Sequence, residues 1–336
     1  MGRRSVKRKR SAKKKVLLII TTIIAIFFIA GVGTFGYFWN KLNSVKKEPI
    51  KNVEISDEGK ALESKYKDEH GKEIINIALF GLDSRSLNGD DSPRSDSIMV
   101  LTLDKGRKKI KLSSIIRDSY VDIKGRGMDK INHAYHFGGP ELAVSTINKN
   151  FGLAIKDFAA INFYGLGTVI DNIGGVDVDI TSEELKYINN YINEIARIEK
   201  VKPTPVTRTG KQTLNGLQSV AYCRIRYTSG GDHRRAERQR YILSEMLKKV
   251  KNVGPTKYPE LVSELLPNVK TSLGSGDIVK LGLDVMSMDI GNIEQKQFPA
   301  NSRGQGKMIK GIYYFVCDLE GTKGDMQNYI YKDISK

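Results

Sequence analysis

Among 336 residues there are only two cysteines, four histidines and one tryptophan. Cys223 and Cys317 make no disulfide framework, and two buried free thiols are the simpler expectation than a single bridge. His133 and His136 stand three apart, but no third ligand has matching spacing, so a zinc site is not expected. The chain has no Gly-Lys-Ser/Thr phosphate loop, no Gly-x-Ser-x-Gly elbow and no His-Glu-x-x-His helix. Those absences set aside P-loop nucleotide, serine-hydrolase and zinc-protease chemistry. Acidic residues are missing from 1–15, where nine Lys and Arg crowd together, and charge of either sign is missing from 16–39.

The uncharged run of 16–39 is long enough to span a bilayer as a helix. A cleaved signal peptide needs a shorter apolar core and a small-x-small exit, so a single-pass anchor is expected instead. The basic tail 1–15 places the N-terminus inside the cell by the positive-inside rule, and Tyr37 and Trp39 suit the outer interface. The net charge of +17 resembles a nucleic-acid signature, yet setting the nine basic residues of 1–15 aside leaves +8. A domain outside the membrane does not readily meet chromosomal DNA or cytosolic ATP, so no nucleic-acid partner is expected.

What the chain does have is arginine in one place. Six of its eighteen arginines, Arg224, Arg226, Arg234, Arg235, Arg238 and Arg240, lie within seventeen positions. A planar guanidinium offers a rigid fork of donors matched to phosphate or carboxylate oxygens, which an ammonium does not. The pattern predicts a strand over 222–226 with Arg224 and Arg226 on one face, a Gly-Gly loop, and a helix from Asp232 to 251. On that helix Arg235, Arg238 and Gln239 share a face, and the N-terminus adds its own pull on an anion.

Taken in order, 40–73 is polar and mixed in charge and reads as a stalk. An apolar strand over 74–80 follows, then strands over 97–103 and 109–115, and a helix from Pro140 to 150. A strand over 157–163, a short helix over 165–173 and a strand over 176–180 come next. Helices are expected over 182–200, 258–266, 276–286 and 324–331, with strands over 293–298 and 311–317. The alternation predicts an α/β fold: a three-layer α/β/α domain over 74–336 around a central mixed sheet, preceded by the single transmembrane helix.

The motifs GLDSR at 81–85 and PRSDS at 93–97 end one strand and begin the next. Adjacent strand ends of an α/β sheet form the crevice where ligands bind. Asp83 and Asp96 suit a hard divalent ion, Mg²⁺ or Mn²⁺, which takes one or two carboxylates and completes its shell with phosphate oxygens and water. Arg85 and Arg94 would add phosphate contacts. Arg117 and Asp118 end the third strand at the same edge, and Lys130 and Asn132 are further donors.

Together GLDSR, PRSDS, IIRDSYV, KINHAYHFGG, IGGVDVDI, LNGLQSVAYCRIR and RAERQR resemble the LytR-CpsA-Psr family. The resemblance runs from about residue 76 to about 251, with the membrane span where that family carries one. It implies a membrane-anchored phosphotransferase that moves a glycan with its phosphate from a polyprenyl-diphosphate carrier to peptidoglycan. It further implies that Asp83 and Asp96 bind Mg²⁺ and that Arg85, Arg94, Arg117, Arg224, Arg226, Arg235, Arg238 and Gln239 surround the diphosphate. Asp118, a metal-bound Asp, or no residue at all would act as general base. One departure stands out: the family's Asp-aromatic-Gly-Arg motif reads Asp232-His233-Arg234-Arg235, with Arg234 at the glycine. A regulator that binds DNA and a non-catalytic binder of polyprenyl phosphates are the rival readings.

Overall fold

The structure is a computed structural model that describes residues 47–83, 93–252, 268–288 and 290–334. The basic tail 1–15, the apolar run 16–39, Arg85 and the helix expected over 258–266 lie outside the described residues. Among the described residues no helix is long and apolar enough to cross a membrane.

In chain order the elements are α1 (Asp57–His70), β1 (Ile74–Leu82), β2 (Ser95–Asp104), β3 (Lys109–Ile115), β4 (Tyr120–Ile123), β5 (Gly127–Lys130) and α2 (Ile131–Phe151). Then come β6 (Asp157–Asn162), α3 (Phe163–Asn172), β7 (Val176–Ile180), α4 (Ser182–Glu199), β8 (Gly210–Leu214), α5 (Gly216–Arg224) and α6 (Gly231–Asn252). The remainder is β9 (Val269–Thr271), α7 (Ser275–Met286), β10 (Glu294–Phe298), β11 (Gly304–Ile309), β12 (Ile312–Cys317) and α8 (Leu319–Tyr331).

The central sheet has six strands in the order β10-β3-β2-β1-β6-β9. It is mixed: β2 pairs antiparallel with both β1 and β3, β6 is parallel to β1, β9 is antiparallel to β6, and β10 is parallel to β3. Its middle strands β1 and β2 are largely apolar on both faces, as strands covered on both sides must be, while the edge strands β9 and β10 are VKT and EQKQF. Ala78, Phe80, Val100 and Ile115 face one core with Tyr66 of α1, Ile147 of α2 and Ile330 of α8. The alternate residues Leu101, Leu103 and Leu112 face another with Leu243 and Leu247 of α6 and Leu281 of α7. A third core gathers α3, α4, α5 and the antiparallel pair β7–β8, and Ile242 and Met246 of α6 join it.

Three sequence expectations change. The segment expected as a stalk holds α1, capped by the Ser56 hydroxyl, which accepts from the Gly59 amide at 3.4 Å. Gly59 touches the Leu153 backbone so closely that a Cβ there would stand 2.4 Å from the Leu153 carbonyl carbon. The helix expected from Pro140 begins at Ile131 and breaks at Gly138 and Gly139, the latter at φ 60° and ψ −156°, which only glycine adopts readily. The strand expected over 222–226 is the end of α5. There Asn215 and Gln218 form a capping box, and Val220, Ala221, Tyr222 and Cys223 are all buried. A short apolar run does not by period alone separate strand from buried helix.

Candidate active site

The site begins with a fault in the sheet. Gly81 pairs with Ser97, but the next residue, Leu82, pairs with Ser95. Asp96 is therefore the extra residue of a β-bulge, the irregularity that re-aims side chains beside active sites. Gly81 permits it, since a Cβ at that position would lie 2.8 Å from the Ser97 Cβ.

Asp96 is where the arginines meet. Its Oδ1 accepts from Arg117 Nη1, its Oδ2 from Arg226 Nη2 at 3.4 Å, and its carbonyl from Arg235 Nη2 at 3.3 Å. Arg117 is also 3.4 Å from the Asp118 carboxylate, whose other oxygen lies 2.9 Å from Lys130 Nζ. Burial opposes the charge on Arg117, yet Asp96, Asp118 and Asp232 outweigh it and raise the pKa. Arg235 is held 3.4 Å from Asp232, and there burial prevails and lowers the pKa. Arg224, at the end of α5, donates to Glu194 at 3.0 Å and lies over the Phe163 and Tyr191 rings.

Three chambers open on this cluster. One of about 240 Å³ is polar and is lined by Asp83, Asp96, Arg224, Arg226, Arg235 and Gln239. A second, of about 260 Å³, is lined by Asp96, Arg117, Asp118, Asp232, His233, Arg235, Gln239, Tyr313 and Phe315. The third, again about 240 Å³, is apolar and lies between the sheet and α6, with Leu79, Met99, Ile161, Leu166, Ile242 and Met246 in its wall. Gln239 lines all three, and Phe163 and Cys223 line both the apolar chamber and the Asp83 chamber. Cys223 is buried, which pushes its thiol up to about 12.

Most of the expected residues thus converge, although not by the expected route. Arg224 and Arg226 do not share a strand face; one ends a helix and the other lies in the turn beyond it. Arg238 does not reach the chambers. It is buried with its Nε donating to Glu184 at 2.8 Å, Nη1 to the Ile225 carbonyl at 3.1 Å and Nη2 to Thr228 at 2.6 Å. Glu184 already closes a capping box on α4, so this bond ties α6 to α4 and to the loop after α5. Lys130 and Asn132 stand behind the site: Lys130 braces Asp118, and the Asn132 amide donates to the Arg117 carbonyl at 3.2 Å. Arg94 is exposed, and its carbonyl accepts from the Asp83 amide at 3.2 Å. Arg234 is exposed, pairs with Glu237 at 2.8 Å and lies over Gly230 rather than entering the cluster. His133 is tied to Asp129 at 2.9 Å, and among the described residues no three His, Cys, Asp or Glu come together as a metal cluster. Both cysteines are free. The sequence did not single out Tyr313 or Phe315, and an apolar groove lined by sheet-flanking helices was expected from it without named residues, because those residues read as ordinary core.

Compared with known proteins, residues 37–329 match the family model described as the LytR_cpsA_psr family. The chain belongs to the LytR_cpsA_psr family. Among curated members it is 29% identical over 335 residues to the polyisoprenyl-teichoic acid--peptidoglycan teichoic acid transferase TagT of Bacillus subtilis (strain 168), covering 98% of this chain and 99% of that one. It is 31% identical to the transferase of that kind called TagU in Enterococcus faecalis (strain ATCC 700802 / V583), over 88% of this chain and 89% of the other. Among solved members, the LytR-CPS2A-psr family protein YwtF (TagT) with bound octaprenyl pyrophosphate lipid superposes with a TM-score of 0.58 at 25% identity. That match covers 84% of this chain and 96% of the solved one.

Proposed function

We propose that this protein is a membrane-anchored transferase that moves a glycan with its phosphate, of the teichoic acid kind, from a polyprenyl diphosphate to peptidoglycan. The observation that carries the reading is the shared wall: Phe163, Cys223 and Gln239 border both the arginine-lined chamber and the apolar one. A diphosphate in the first would leave its prenyl chain in the second, where apolar burial contributes about 25 cal/mol per Å². Arg224, Arg226 and Arg235 bind the diphosphate oxygens, exchanging their present carboxylate and carbonyl partners for the ligand.

Asp83 and Asp96 border one chamber, and two carboxylates suit Mg²⁺ or Mn²⁺, which complete their shells with phosphate oxygens and water. When bound there, the ion neutralises charge on the diphosphate. An acceptor hydroxyl attacks the glycan-side phosphorus, the bond to the bridging oxygen breaks, and polyprenyl monophosphate leaves. Asp118, held between Arg117 and Lys130, orients the hydroxyl and receives its proton as the new oxygen–phosphorus bond forms. The arginines hold charge on the equatorial and leaving oxygens, which is where such sites act. The anchor is 16–39, with the N-terminus inside and the domain outside.

The test supplies the purified chain with lipid-linked glycan, peptidoglycan acceptor and Mg²⁺, and measures polyprenyl phosphate released. Arg224→Ala or Arg226→Ala should lower turnover about 100- to 1000-fold, the scale of losing one aligned donor. Tight lipid binding with no release under any condition identifies a binder and sinks the transferase reading.

A further inference from the structure

The reaction has two glycans and one diphosphate, and the site has two polar chambers of different chemistry. The chamber of Asp83, Arg224 and Arg226 is cationic. The other sets carboxylates and aromatic rings against Arg117 and Arg235. Its outer wall is the β11–β12 hairpin, which docks on the site through the Phe315 amide, donating to the Asp118 carbonyl at 2.8 Å.

The hairpin is built to present rings. Tyr313 and Phe315 are two apart on β12 and so share a face. On β11, Gly306 stands opposite Phe315 and Gly304 opposite Cys317, so each glycine is diagonal to one of the two rings, while Met308 stands opposite Tyr313. A Cβ on Gly306 would stand 2.6 Å from the Tyr313 ring, and one on Gly304 would stand 2.8 Å from the Phe315 ring. The missing side chains let each ring lie down diagonally across β11. Phe315 is covered, and the His233 ring meets it edge-on, held by the Gln297 amide. Tyr313 is not covered. It stays 46% exposed while its strand neighbours Tyr314 and Phe315 are 8% and 5% exposed. A ring kept only for packing would be buried like those two. Tyr313 lines the same chamber as Asp118 and Asp232, and burial, followed by those two carboxylates, pushes its hydroxyl up.

We infer that the chamber between Asp118 and the β11–β12 hairpin is the acceptor subsite, with Tyr313 as a platform for a sugar ring of the peptidoglycan strand. A flat aromatic face takes the apolar side of a pyranose, and charged acceptors beside it take the hydroxyls. The assignment rests on the transferase reading above. It places the acceptor hydroxyl at Asp118, across Asp96 and Arg235 from the donor's chamber.

The experiment uses the full chain with a short uncrosslinked peptidoglycan oligosaccharide as acceptor. It measures acceptor binding at equilibrium, and separately KM for acceptor and for lipid-linked donor. Tyr313→Ala should weaken acceptor binding and raise acceptor KM about 3- to 10-fold, the contribution of one aromatic face, with donor KM unchanged. Tyr313→Phe should restore both values. Gly306→Val, which displaces the ring without removing it, should reproduce the loss. Unchanged acceptor binding in Tyr313→Ala, or a rise confined to donor KM, overturns the subsite. Because binding is read without turnover, a wild-type chain that transfers nothing sinks the transferase reading while the subsite is still decided.

Discussion

Replacing Arg238 by Met separates an arginine that holds the fold from those that hold the ligand. Arg238 donates to Glu184, Ile225 and Thr228 within the protein, and both it and Glu184 are buried. Removing one partner of a buried pair costs about 3–5 kcal/mol, because the other charge is left without compensation. At roughly 2–4 °C per kcal/mol for a domain of this size, Tm should fall by about 6–20 °C. Arg235→Met should behave in the opposite way. Its bonds to Asp232 and to the Asp96 carbonyl are long, at 3.4 and 3.3 Å, and burial already works against its charge. Donor affinity should fall there with little loss of Tm. The pH dependence gives a second readout. Burial pushes the Glu184 carboxyl up, but Arg238 and the Thr181 bonds outweigh it and hold the group below its ordinary value. Its contribution is therefore complete above an unfolded pKa of about 4.3 and is lost as pH falls through the lower folded value. In Arg238→Met burial acts without the guanidinium, so the gap in Tm between variant and wild type should narrow below about pH 4. Thermal unfolding from pH 3 to 8 and donor binding at pH 7 measure both. An Arg238→Met chain with unchanged Tm and weakened donor binding would falsify the structural role.

Other outcomes follow from the same contacts. Ile161→Trp narrows the apolar chamber, so affinity for long prenyl diphosphates should fall at least 10-fold while short-chain analogues bind as before; equal losses for both would remove the prenyl chain from that chamber. Gly59→Val has no room against Leu153 and should cost about 1–3 kcal/mol in thermal unfolding, with earlier proteolysis within 57–70. A neutral result there would return α1 to the status of a stalk. Cys223, its thiol pushed up to about 12, should resist alkylation at pH 8 in the folded chain and react on unfolding. A bound prenyl diphosphate should slow it further.

The motif pairs at 81–85 and 93–97 and the run of arginines made the site legible in the sequence, because a phosphate-binding arginine must be polar where a core residue would not be. The central strand 74–80 was legible for the opposite reason: IINIALF is apolar at almost every position, whereas 109–115, KIKLSSI, shows a strand only through Ile110, Leu112 and Ile115. What escaped was whatever required a third dimension. The bulge at Asp96 leaves no trace in composition. Arg238 and Arg235 share a helix and a residue type, and only the position of Glu184 tells them apart. The 222–226 segment was misread because a buried helix end and a buried strand have the same apolar content. The apolar chamber and the hairpin were hidden by residues that would suit any core.

The order of the sheet also dictates when the fold can close. Strands β1, β2 and β3 are contiguous in the chain and can pair as soon as they emerge, but both edges, β9 and β10, come from beyond residue 268. The lid over one core comes later still, in α8, where Lys111 of β3 donates to the Tyr329 carbonyl at 2.6 Å. A chain interrupted before β9 has β3 and β6 as bare edges open to wrong pairing. It also lacks Tyr313 and Phe315. Closure of the sheet edges and completion of the chamber walls therefore depend on the same C-terminal part of the chain.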